Sequence, residues 1–257
     1  MLKRILKRNF FLLPISAALT ACGGGGGSSS IAPPPPPDLG TAEGLWKGTT
    51  GTNRVVSGLV LDNGNYWFIY SAVGNSAVVA GAVQGSGTSS NGNFSSSNGL
   101  DFNLEGLGIN GFTLAGTYTK KSTLNGTQTY TGGTSGSMTF SYSTDYDLTP
   151  SLATIAGTYS GTAATIGGIV EFATVTVSSS GTITGMSASG CSFTGTASLH
   201  AKGNVYDVSV TFGGGVCVIG TGTVTGVGYY TASTRTLVSA ALNSGRTSGF
   251  LFGGVKP

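Results

Sequence analysis

The chain carries little charge: Asp, Glu, Lys and Arg make up 8% of its 257 residues. It has one histidine and three cysteines. No apolar run approaches the roughly twenty residues needed to cross hydrocarbon as a helix. Each scarcity closes a class of function. With His200 alone, a Ser-His-Asp arrangement has a single candidate base, and no Gly-x-Ser-x-Gly elbow is present to carry its nucleophile. His200 falls at the end of a predicted strand beside a turn and reads as a solvated hairpin residue. One histidine and so few thiols leave too few ligands for zinc, and no metal site is expected. The run Gly23 to Gly27 lacks the Lys-Ser or Lys-Thr ending of a phosphate loop, a strand before it and a helix after it. No catalytic residue is singled out, and the chain is not expected to be an enzyme.

What is present begins at the N-terminus. Met1 to Arg8 holds four basic residues and no acidic one, Phe10 to Leu19 is mostly apolar, and Thr20-Ala21-Cys22 follows. That order is a signal peptide, with an apolar core of about ten residues, too short to remain as a membrane span. Leu19-Thr20-Ala21-Cys22 resembles the lipobox of bacterial lipoproteins. The resemblance implies cleavage before Cys22 and a covalent lipid on its thiol, with no other cofactor expected. The rival reading is an ordinary cleavage site with Cys22 as a free thiol. Gly23 follows the cysteine where an aspartate would favour inner-membrane retention, so the resemblance implies the outer membrane as the anchoring site. Residues 1–21 are thus read as signal peptide.

Residues 22–40 combine Gly23 to Gly27, Ser28 to Ser30 and Pro33 to Pro37, two low-complexity blocks that bury nothing to offset their ordering entropy. They read as a tether holding the folded part about 30 Å from the bilayer. Loss of the signal removes Lys3, Arg4, Lys7 and Arg8, leaving eight basic residues against nine acidic ones. The apparent basicity therefore belongs to the export segment. No basic patch remains for nucleic acid, and the expected partners are a membrane, through the lipid, and an envelope or extracellular protein.

From Thr41 onward the chain is rich in Gly, Thr, Ser, Val and Tyr and shows no sustained helical period, a composition that belongs to β-structure. Arg54 to Asp62 and Asn65 to Tyr70 flank Asp62-Asn63-Gly64, which predicts a hairpin with a type I′ turn. Similar pairs are Val170 to Val177 with Thr182 to Met186, Cys191 to His200 with Val205 to Phe212, and Gly222 to Tyr230 with Arg235 to Leu242. Gly44-Leu45-Trp46-Lys47-Gly48-Thr49 is echoed by Gly157-Thr158-Tyr159-Ser160-Gly161-Thr162 after roughly 110 residues, about one small domain. The expected architecture is all-β: two tandem small antiparallel β-barrels of about eight strands each, over residues 41–149 and 150–257. One larger sheet structure is the alternative.

Gly-x-Trp at the head of a first strand resembles lipocalins and related small barrels, which implies that Trp46 and Tyr159 each close one barrel end. Gly249 to Lys256 is similar to the last barrel strand of transferrin-binding protein B-like surface lipoproteins. These resemblances imply barrels rather than a ligand, since a fold does not fix a function. Small barrels either fill their interior or hold one ligand, so a lipocalin-like carrier of a small apolar molecule stands as the alternative to a non-enzymatic binding or structural module. A transmembrane barrel fits poorly with an anchor and spacer.

Cys191 and Cys217 are the thiols left after lipidation, and an oxidising compartment predicts a disulfide between them. If the two began strands one apart from each other, they would lie about 9–10 Å apart, too far to bond. The bond needs a bent barrel end or a loop position; otherwise the strand order differs or the thiols are free. Asp145 and Asp147, two apart, would share one strand face and could hold calcium or act as an acid/base pair, although a solvated strand end explains them equally. Tyr66, Trp67, Phe68, Ile69 and Tyr70 form the densest aromatic cluster. Alternation sends Tyr66, Phe68 and Tyr70 to one side and Trp67 and Ile69 to the other. One side must be core; the other is a candidate binding surface or a contact with the neighbouring domain.

Overall fold

The computed structural model describes residues 39–257. The residues read as signal peptide, Cys22, and all but the end of the segment read as tether lie outside the described residues. Two closed antiparallel barrels follow one another. The first comprises β1 (Gly44–Thr50), β2 (Val55–Val60), β3 (Asn65–Ala72), β4 (Asn75–Ser86), the short β5 (Thr88–Ser90), β6 (Asn93–Asn103), β7 (Gly108–Thr119), β8 (Thr123–Tyr130) and β9 (Ser135–Ser143). β9 returns to β1, while β4 pairs with β6 from Gly81↔Asn103 to Gln84↔Leu100, so eight strands close and β5 is an appendage on β6.

A 3-10 turn (Thr144–Asp147) and a single helical turn, α1 (Leu152–Ile155), lead to the second barrel. It runs β10 (Gly157–Thr165), β11 (Val170–Val177), β12 (Thr182–Ser187), β13 (Ser192–Leu199), β14 (Val205–Phe212), β15 (Thr223–Thr231), β16 (Thr236–Leu242) and β17 (Gly249–Val255). Each strand pairs with the next and β17 closes on β10. The alternative of one larger sheet is thereby replaced by two separate closures. Closure removes the exposed edges that an open sheet of this composition would present for aggregation.

The sequence echo is a structural echo. Trp46 and Tyr159 are fully buried near the starts of β1 and β10, and each donates a hydrogen bond to the carbonyl four residues earlier. The Trp46 indole N–H reaches Ala42 O at 2.9 Å and the Tyr159 hydroxyl reaches Ile155 O at 2.8 Å. Each ring meets a tyrosine edge-on, Tyr142 or Tyr230. The second glycine of each copy is needed for close approach. A Cβ at Gly48 would lie 1.9 Å from Thr139 O, and one at Gly161 would lie 2.0 Å from Gly253 O.

Turn chemistry differs from the expectation. Leu61 N–H donates to Asn65 O, and Gly64 N–H donates to Leu61 O. Of Asp62, Asn63 and Gly64, only Gly64 has positive φ, at +83°. This is a type I turn with a glycine bulge, a three-residue loop rather than the two-residue type I′ loop. Ser178 to Gly181 repeats it, with Gly181 at φ +86°.

Side chains alternate in and out along the strands, apart from irregularities where β3 meets β4 and where β6 meets β7. Away from the seam between the barrels, outward positions of the first barrel carry hydroxyls and amides along β8 and β9: Thr123, Asn125, Thr127 and Thr129, and Ser135, Ser137, Thr139 and Ser141. On the second barrel the register aligns Thr158, Thr176, Thr184, Thr194, Thr211 and Thr223 in one row across six strands. A lipid-facing barrel would carry an apolar band there.

Candidate functional site

The seam is built from strands that are apolar on both faces. Val56 and Val60 point into the first barrel's core while Leu59 and Leu61 point out. Leu45, Leu59, Leu61 and Trp67 pack against Val205, Val227, Tyr229 and Val238 of the second barrel. Further along, Ala82, Ile69 and Val79 meet Ala164, Ala240 and Leu251. Polar contacts stitch the same surface. Ser57 Oγ and the Tyr229 hydroxyl share a 2.6 Å hydrogen bond, and burial pushes the Tyr229 hydroxyl up to about 12, so it stays protonated. Arg246 donates from Nη2 to Gln84 O and Asn98 O at 2.7 and 2.9 Å.

This arrangement decides the aromatic cluster. Tyr66, Phe68 and Tyr70 are buried inside the first barrel, and Trp67 lies half-buried against the second. The binding surface expected on Tyr66, Trp67, Phe68 and Tyr70 is therefore corrected to core and seam: the segment is dense in aromatics because both its faces are covered. The Tyr66 hydroxyl bonds Ser96, and the Tyr70 hydroxyl donates to Asp101 at 2.7 Å. Tyr130 donates to the other Asp101 oxygen at 2.6 Å. Burial raises the Asp101 carboxyl above the usual range, against the pull of these two donors.

His200 is not a solvated hairpin residue. Its side chain is 12% exposed, with Nδ1 2.8 Å from Asp207 Oδ1 and Nε2 3.3 Å from Asp62 Oδ1, so it joins carboxylates from both barrels. Asp145 and Asp147 lie on the 3-10 turn, not on a strand. Asp145 pairs with Lys47 at 2.8 Å and Asp147 with Lys121 at 2.7 Å, and these bonds hold both carboxyls below the usual range. Each carboxylate has its own cation, which leaves neither a calcium cage nor an acid/base pair.

Cys191 and Cys217 form a disulfide with their Cα atoms 4.7 Å apart. Cys191 immediately precedes β13, and Cys217 lies in the loop of residues 213–222 between β14 and β15. The loop folds back across the barrel end, with Gly213 N–H on Ser192 O and Cys217 N–H on Gly214 O. The loop position removes the conflict with strand spacing.

Cavities separate the two functional expectations. Space inside the first barrel is about 10 Å³, walled by Tyr66, Phe68, Phe94, Phe112 and Phe140, and inside the second about 30 Å³, walled by Phe193, Tyr206 and Phe250. That is room for about one water, so the lipocalin-like carrier reading fails: aromatic side chains fill the barrels. Outside the barrels a space of about 410 Å³ is lined by charged Glu43, Lys121 and Asp147, and a smaller, uncharged one of about 190 Å³ opens between the barrels at one end of the seam. Ile69, Val79, Val238, Leu251 and Gly253 line it, and Val55, Val78 and Val170 stand exposed on its rim. No charged residue lines it. Of these residues the sequence had singled out Ile69 alone, on the second face of the Tyr66 to Tyr70 cluster. The legible signal was the set of strands without a polar face.

The geometry defines a class, a pair of filled antiparallel barrels joined by an apolar seam. No protein-family model and no curated protein matches the chain. Among solved structures it is similar to isotype 1 transferrin binding protein B from serogroup B Neisseria meningitidis, at 10% identity and a TM-score of 0.32, covering 79% of this chain and 66% of that one. It is also similar to a double mutant of transferrin binding protein B from Haemophilus parasuis (12%, TM-score 0.31, covering 79% and 60%). A third likeness is to a putative outer membrane protein of Bacteroides fragilis (14%, TM-score 0.25, covering 85% of this chain and 97% of that one). The chain spans about two thirds or less of the two transferrin binding proteins. At these scores the likenesses carry no argument about ligand or activity.

Proposed function

We propose that the chain is a non-enzymatic binding module of the bacterial cell envelope, anchored through lipid on Cys22 at the outer membrane, and that its partner is a protein seated at the groove between the barrels. One observation supports the reading above others: the barrels are filled, while the seam opens into an uncharged apolar groove with exposed valines on its rim. Exposed apolar surface of this kind marks interaction sites. Phe172, 55% exposed, extends the rim, because it pairs on the outer face with Thr162 of the groove.

The test uses the full-length protein in intact cells, with a photo-crosslinking amino acid at Phe172 or, as control, at Thr127 on the far wall of the first barrel. A protein adduct formed at 172 and absent at 127 is the expected result. Adducts at both positions, or at neither, would overturn the reading. Cys22→Ser should move the protein from the membrane fraction to the soluble fraction, and retention in the membrane would remove the lipid anchor from the proposal.

A further inference from the structure

We infer that the groove is an anchor pocket for one aromatic side chain of the protein partner, and that Gly253 is the residue that keeps it open. The inference rests on the binding-module reading and adds the chemistry of the contact. Size decides between ligand classes. Pockets for small molecules run from about 300 Å³ upward, whereas an apolar cavity of about 150 Å³ takes up a benzene ring. At about 190 Å³ the groove has room for one ring and too little for a whole small-molecule ligand.

The lining fits a ring. Ile69, Val79, Val238 and Leu251 supply apolar walls without a charge that would need a partner. The hydroxyls of Ser76 and Thr162 also line the space and have no hydrogen-bond partner among the described residues, so they are free to meet a tyrosine hydroxyl, an indole N–H or the partner's backbone. The groove is continuous with the seam, sharing Ile69, Val79, Ala164 and Leu251 with its packed part. Aromatic anchors that become buried and desolvated in pockets carry much of the binding energy of protein interfaces.

Gly253 sits on β17 between Thr162 of β10 and Val238 of β16, on the same outward face as Leu251. Most strand glycines here are needed for close packing, since a Cβ on them would collide with backbone or a ring. A Cβ on Gly253 would meet nothing within 4 Å, and its φ lies outside the left-handed region. Packing and backbone conformation therefore do not require glycine at this position. Its absent side chain is the open volume.

The experiment titrates p-cresol, the side-chain analogue of tyrosine, into the full chain and follows methyl NMR signals. Saturable shifts confined to Val55, Val170, Val238 and Leu251 are expected. Gly253→Leu should weaken the titration about tenfold or more, the scale of filling one anchor pocket, with unchanged circular dichroism and melting temperature. Gly132→Leu, which adds the same side chain in open space on the β8–β9 turn, outside the groove's lining, should leave the titration unchanged. Absence of saturation, or equal affinity in wild type and Gly253→Leu, would overturn the inference. So would preferential saturation of the groove by n-octyl glucoside, which would place an acyl chain there. Crosslinking at Phe172 that persists after a failed titration would retain the binding module and discard the aromatic anchor. A successful titration without crosslinking would retain an aromatic-binding pocket and discard the protein partner, and with it the anchor role.

Discussion

Asp101, 5% exposed within the first barrel, is the one buried charged residue among those described, and the second barrel has no counterpart. It gathers Tyr70, Tyr130 and, through Tyr70, Asn103 at the end where Arg54 pairs with Glu105. The second barrel fills the same strand plan with Phe193, Phe212 and Phe250 in mutual contact and adds a disulfide whose cysteines belong to its core cluster. The first barrel, residues 44–143, contains no cysteine. One closed architecture thus carries a buried carboxylate network in one copy and a disulfide in the other, each beside an apolar core. The two copies should respond to different perturbations.

The largest expected difference comes from the disulfide. Changing Cys191 and Cys217 together to Ala should cost the second barrel about 3–4 kcal/mol, the chain-entropy scale for a loop of this length. Native-state hydrogen exchange reads the barrels separately. Amides of β13 to β15 should lose protection while those of β7 to β9 keep theirs. Equal losses in both would mean that the seam makes the barrels one cooperative unit, and the comparison would hold only for static structure.

A matched pair of substitutions tests what the barrels share. Gly48→Val and Gly161→Val each drive a side chain into a neighbouring strand's carbonyl, 1.9 and 2.0 Å from the new Cβ, and each should cost about 3 kcal/mol. Denaturant midpoints that shift alike would establish that the repeated Gly-x-aromatic-x-Gly-Thr segment performs the same task twice. A large loss in one barrel alone would break the equivalence.

The residues that repeat were the legible part of the fold. Val205 to Phe212 forms a strand with the expected bounds, and Trp46 and Tyr159 close their barrels because a buried aromatic with one polar atom has few other places to sit. Turn type was misread because Asp-Asn-Gly serves either a two-residue or a three-residue loop, and only the pairing of Leu61 with Asn65 selects the latter. The seam was legible only as one of two readings of the second face, a binding surface or a contact with the neighbouring domain. Tyr66 to Tyr70 advertises two apolar faces, yet which surface covers the second face depends on β16 and β17, more than 150 residues away. His200 shows the same limit: its partners Asp62 and Asp207 meet only after both barrels have folded and docked. Gly253 was illegible among 45 glycines, because its distinction is the emptiness beside it.

The smallest expected effect, and the one confined to the first barrel, is its response to pH. Burial raises the Asp101 carboxyl above its unfolded value, so the folded protein binds that proton more tightly than the unfolded chain. The stability this group contributes is then fully present below the unfolded pKa of about 4 and is lost as pH rises through the folded value. Asp145 and Asp147, held low by Lys47 and Lys121, work in the opposite direction, so raw stability against pH mixes the two. The difference between wild type and Asp101→Asn isolates the buried group. In urea titrations from pH 3.5 to 8 the variant should gain on wild type as pH rises, with β13 to β15 unaffected. If wild type gained instead, the Tyr70 and Tyr130 hydroxyls would outweigh burial, and the network would stabilise the ionised carboxylate in the first barrel much as the disulfide stabilises the second.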